Sequence, residues 1–196
     1  MLPENIIYIG VVINLVFTVW YIKTIFKDGT RPNPISWFVW TLAPFVGVFL
    51  QLKSGAGLSV LGTFMSGFGP FLVLVFSLFR KDAFWKINKF DVICGLTALF
   101  SIVLYIITNN LGISILFAIL ADLLAYLPTM IKTYKFPKTE SASIYMGGII
   151  TNSLALLIIK DWSLAVYAFS VYLVLANLIE VALIYKKYFK KFKINS

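Results

Sequence analysis

The sequence predicts an all-α membrane protein: seven transmembrane helices in a 3+1+3 parallel-repeat arrangement, N-terminus outside and C-terminus cytoplasmic. Three observations carry this expectation: the composition, the spacing of the apolar runs, and the distribution of basic residues along the chain. Of the 196 residues, 60% are hydrophobic and only 13% are charged. A soluble domain carries about a quarter charged residues. So much apolar surface cannot be hidden inside a soluble fold of this length, and the bilayer is its natural solvent.

A spanning helix needs about 20 mostly apolar residues. Seven runs approach that length: 6–22, 34–52, 58–79, 92–108, 113–131, 143–159 and 163–185. The N-terminal MLPEN has no positively charged leader, so the first run is expected as a retained span. The connections after the first, third and fifth runs, with the tail, hold 15 of the 17 basic residues. The other side holds only Lys53 and Lys160. Basic residues favour the cytoplasmic side, which sets the orientation. The same distribution accounts for the net charge of +9 without nucleic acid as a partner.

Two basic, aromatic segments are expected at the membrane surface. The tail YKKYFKKFK suits anionic lipid headgroups. The segment RKDAFWKINKF is expected as a short interfacial helix with Trp85 at headgroup depth.

Shifting the chain by 109 residues sets YIKTIFKDGTRPNPIS over MIKTYKFPKTESASIY. Ile22, Lys23, Thr24, Thr30 and Ile35 then match Ile131, Lys132, Thr133, Thr139 and Ile144. The first run falls on the fifth and the second on the sixth, which leaves the fourth as a linker. The expected units are a first three-helix repeat (1–79), an interfacial segment with linker helix (80–111), a second repeat (112–186) and a basic tail (187–196). Parallel repeats of this kind are a known transporter design.

The stretch LPTMIKTYKFPKTESASIYMGGIITNSLAL resembles the PQ-loop repeat of the PQ-loop/SWEET (MtN3-like) transporter superfamily. Pro128 holds the proline position and Thr129 stands where the family has Gln, while Lys132, Thr139 and Ser141 fit the loop that follows. In the first copy Val19-Trp20 replaces the Pro-Gln pair. The resemblance implies a pseudo-twofold pathway between the two units, with a small solute bound near the midplane.

Ionisable and amide side chains inside spans are the natural binding candidates. Asp122 lies near the middle of the fifth run, with Tyr126 one turn on. Asn14, Asn152 and Asn177 offer amide donors and acceptors in the first, sixth and seventh runs. Trp37 and Trp40 share one helix face with Pro44. Trp37 suits an interfacial aromatic belt or the pocket, and Trp40 suits stacking on a flat ring or a sugar. Pro44, Pro70 and Pro128 lie within spans and are candidate hinges. Asp122 and Glu180 are candidates for proton linkage, with Glu180 expected to reach the interface or pair with Lys186.

The single cysteine, Cys94, and the complete absence of histidine remove cysteine-rich metal sites and histidine chemistry. No metal, cofactor or catalytic activity is expected. The expected function is transport or facilitation of a small polar solute (a sugar, vitamin precursor or amino acid) by alternating access. The alternative is a sorting receptor or scaffold of the same fold. Two complete repeats permit a working monomer without excluding homo-oligomers. The short loops and composition fit a prokaryotic plasma membrane.

Overall fold

A computed structural model describes residues 3–80, 82–108 and 110–194, with the side chains of 105, 111 and 187–194 outside that description. The described residues form seven α-helices joined by short connections: α1 (Ile6–Lys27), α2 (Pro34–Lys53), α3 (Val60–Ser77), α4 (Lys89–Ile107), α5 (Leu111–Lys135), α6 (Ser143–Leu157) and α7 (Leu164–Ile194). No strand occurs among them. Five helices, those containing α1, α2, α3, α5 and α7, are long and apolar enough to cross a membrane. They mark an integral, multi-pass membrane protein. Many large apolar side chains face outward, among them Ile9, Val12, Val16 and Trp20 on α1 and Ile93, Leu96, Phe100 and Val103 on α4. In water such stripes would be a liability; against lipid they are the expected surface.

Local signals set the helix ends. Asn33 caps α2, accepting from the backbone N–H of Ile35 at 3.1 Å and of Ser36 at 3.4 Å, with Pro34 in the first turn. Asn88 and Asp91 form a reciprocal capping box at α4, and Asn110 caps α5. After α2 the chain turns through Gly55 at φ +78°, a left-handed conformation that glycine adopts without penalty. Three helices run several residues past the C-terminal ends of the expected runs: α1 to Lys27, α5 to Lys135 and α7 to Ile194. Hydropathy marks where the bilayer ends, whereas backbone hydrogen bonding continues through charged turns at the interface. The tail's helical backbone is therefore continuous with α7, while its side chains from 187 onward lie outside the described residues.

One expectation is overturned. Among its described residues, 80–88 holds no helix. It is a strap whose Trp85 N–H donates to the Pro32 carbonyl at 2.9 Å and whose Trp85 ring meets Phe136 at 5.3 Å. Contacts to two connections replace the regular apolar face that an interfacial helix needs.

Packing follows a repeated scheme. Helix α3 packs against both α1 and α2, and α7 against both α5 and α6. Across these groups α1 packs on α6 and α2 on α5, while α4 lies against α5 and α2. Small residues permit the close contacts. A Cβ at Gly147 would lie 3.3 Å from the Asn14 backbone, and one at Gly62 would lie 2.7 Å from the Ala155 side chain. The α1–α2 and α5–α6 connections meet at one end, where the Arg31 N–H donates to the Thr139 carbonyl at 3.0 Å. At the other end Lys160 pairs with Glu4, and the Gln51 amide donates to the Val166 carbonyl at 3.2 Å.

Candidate functional site

A small cavity of about 40 Å³ lies among α1, α2, α3, α5, α6 and α7. Every helix except α4 contributes to it. Asn14, Trp37, Trp40, Asp122, Tyr126 and Asn177, all singled out in the sequence, line it. Met65, Ser66, Pro70, Ile144, Tyr145, Gly148 and Leu173 complete the lining.

The aromatic groups form a continuous wall. Trp40 sits 4.3 Å from Tyr126, 5.3 Å from Trp37 and 6.4 Å from Tyr145, ring centre to ring centre. Tyr21 extends the wall at 4.8 Å from Trp37. These separations suit tilted and edge-to-face ring pairs. Trp37 is only 1% exposed, so it belongs to the interior wall and not to a headgroup belt. The i, i+3 spacing of Trp37 and Trp40 was compatible with either position; helix α5, with Tyr126, covers that face.

The polar groups are tied across helices. Asp122, halfway along α5, accepts from the Tyr172 hydroxyl of α7 at 2.9 Å. The Tyr126 hydroxyl donates to the Asn177 carbonyl at 2.8 Å. Thr18 donates to Asn14 at 3.3 Å within α1. Asn152 does not line the cavity; its amide donates to Ser66 on the wall at 3.1 Å and to the Gly148 carbonyl at 2.9 Å. Nine buried polar side-chain atoms have no hydrogen-bond partner among the described residues, including Trp37 Nε1, Trp40 Nε1, the Tyr145 hydroxyl and Asn152 Oδ1 at or beside the cavity. A buried polar group without a partner costs about 1–3 kcal/mol. Three of the nine, on Trp37, Trp40 and Tyr145, belong to residues that line the cavity.

Of the candidate hinges, Pro70 lines the cavity. Pro44 packs away from it, with its ring 3.3 Å from where a Gly67 Cβ would stand. Pro128 is buried in α5 outside the lining. Its neighbour Thr129 donates to Ser36 at 2.9 Å and so ties α5 to α2.

Glu180 departs from expectation. It is fully buried and accepts from Thr133, while its second oxygen, Oε2, has no partner among the described residues. Lys186 instead donates to the Tyr134 carbonyl and covers that ring. The side chain at 180 follows the inward face of α7, on which Asn177 lies one turn earlier.

Sequence reasoning missed a second polar cluster at the end of the molecule where the α1–α2 and α5–α6 connections meet. Lys132 forms a buried ion pair with Glu140, and both side chains are at most 1% exposed. Glu140 also accepts from the Tyr21 hydroxyl, and Lys132 donates to the Arg31 carbonyl at 2.8 Å. Charge counting places Lys132 on the cytoplasmic side and the repeat sets it opposite Lys23, but neither shows that it is buried. The one available signal was Glu140, the lone acid in an otherwise basic connection.

Comparison with protein-family models, with curated proteins and with solved structures finds no match to this chain.

Proposed function

We propose that this protein is a transporter or facilitator of a small polar solute that works by alternating access between two three-helix units. In this reading all seven helices cross the bilayer, with the N-terminus outside and the C-terminus in the cytoplasm. Helix α6 has only 15 residues, about 22 Å of rise. Its neighbours α1, α3 and α7 shelter it, so it need not match the hydrocarbon thickness by itself. Units 1–79 and 112–186 are the repeats, and α4 is the linker that lets both point the same way.

Three features support the reading. The contact of α1 with α6 and that of α2 with α5 exchange under a twofold relation between the units. The sequence match at a shift of 109 residues has the same register, and the second copy resembles the PQ-loop repeat. The observation that carries the proposal is the cavity itself, walled by both units and lined by side chains with unpartnered buried polar atoms.

The cavity is small in this state, with Trp40 and Tyr126 packed ring against ring at 4.3 Å. The Lys132–Glu140–Tyr21 cluster bridges the units at the end assigned to the cytoplasm. Rocking of the units must break this bridge for the inward-open state to form.

The test is uptake into sealed liposomes containing the purified protein, with a panel of labelled sugars, nucleosides, vitamin precursors and amino acids. The expected result is saturable flux of one chemical class, faster against a preloaded unlabelled pool. Absence of flux for every class, together with stable capture of a protein partner, would replace transport by the receptor or scaffold reading.

A further inference from the structure

The carboxyl of Asp122 is the one acidic group in the cavity wall, and it is 1% exposed. Its hydrogen-bond partner is the neutral Tyr172 hydroxyl, and no ion pair to it is found among the described residues. The buried Lys132 is committed to Glu140. A carboxylate in such surroundings needs a positive charge beside it, or it takes up a proton. The same cavity presents the rings of Trp37, Trp40, Tyr126 and Tyr145. Aromatic faces attract a desolvated cation, Trp most strongly, and a set of them with one carboxylate is the arrangement that recognises organic ammonium and ring cations. The unpartnered indole N–H groups of Trp37 and Trp40 are donors only. They favour a ligand that also carries acceptors, such as hydroxyl or carbonyl oxygens.

Building on the transport reading above, we infer that the solute is a small organic monocation, with its charge between Asp122 and the Trp40 and Tyr126 rings and its oxygen acceptors toward the two indoles. A neutral sugar supplies no countercharge and would bind only with the Asp122 carboxyl protonated. An anion would be repelled by it.

The test is a thermal-shift titration of the full-length protein in detergent with matched pairs of probes. Choline is paired with its uncharged isostere 3,3-dimethyl-1-butanol, and 1-methyl-3-carbamoylpyridinium with 3-methylbenzamide. Glucose serves as a neutral polar control. At concentrations well above Kd, binding to the folded state alone raises Tm by several degrees. The expected result is a rise with at least one cation and none with its isostere, lost in Asp122→Asn and weakened at least about tenfold in Trp40→Leu. Asp122→Asn keeps an acceptor for Tyr172, so its own Tm without ligand should stay close to that of the parent. A rise with glucose or a neutral isostere that survives Asp122→Asn would overturn the cation assignment while leaving solute binding intact. No rise with either cation would also overturn it. If glucose were silent as well and the liposome panel gave no flux, the transport reading would fail with it.

Discussion

Glu140→Ala lowers the stability of the protein by about 3–5 kcal/mol, because it strands the Lys132 ammonium in a site sealed from water. The loss appears as a fall in Tm on the order of 10 °C, read by intrinsic fluorescence in detergent. The remaining partners of Lys132, the Arg31 carbonyl at 2.8 Å and the Trp85 ring at 6.0 Å, carry no charge and do not replace a carboxylate. Removing both charges, in Lys132→Met with Glu140→Ala, should recover more than half of the loss, since two buried ions are then no longer desolvated. The double mutant separates a charge-pairing effect from simple loss of packing: if it is as unstable as the sum of the two single variants, packing rather than pairing accounts for the loss. If the cluster also bridges the units at the cytoplasmic end, the double variant transports with an altered balance of inward-open and outward-open states. A change in the ratio of influx to exchange would report it.

On the proposed transport function, Gly148→Leu abolishes flux while leaving a folded protein. A Cβ at this position would stand 2.8 Å from the Asn177 amide nitrogen, and Asn177 is itself held by the Tyr126 hydroxyl. Leucine therefore both displaces Asn177 and fills cavity space. Overpacking of this kind costs about 1–3 kcal/mol, which the fold should survive. The expected readout is a fall in liposome uptake to background, with a monodisperse protein and a cooperative melt. Uptake within about twofold of the parent would mean that solute passes elsewhere, since a leucine cannot share this space with it.

Much of this site was legible because a bilayer punishes polar side chains so heavily. Asn14, Asp122 and Asn177 stood out against apolar runs, and the fold gathers all three around one cavity. The spacing of Trp37 and Trp40 gave their shared face, but only the packing of α5 against α2 decided what that face meets. Tyr172 was not legible as the partner of Asp122, because the two lie 50 residues apart on different helices and tyrosine is common in spans. The buried Lys132–Glu140–Tyr21 cluster was hidden for a related reason. Charge counting assigns a lysine to a side of the membrane and says nothing of whether it reaches water. Prolines were the least informative: all three lie inside continuous helices, yet only Pro70 borders the cavity. A proline reports a missing backbone hydrogen bond, which can serve packing as well as motion.

The central claim is that one cavity opens to each side of the membrane in turn. It is tested most directly by placing a cysteine on the wall, Ser66→Cys, in a Cys94→Ser background, within sealed vesicles of known orientation. A membrane-impermeant methanethiosulfonate is then applied from one side or the other. Alternating access predicts labelling from both sides, slowed from both by a bound solute. Labelling from neither side, or from one side alone under every condition, would contradict it.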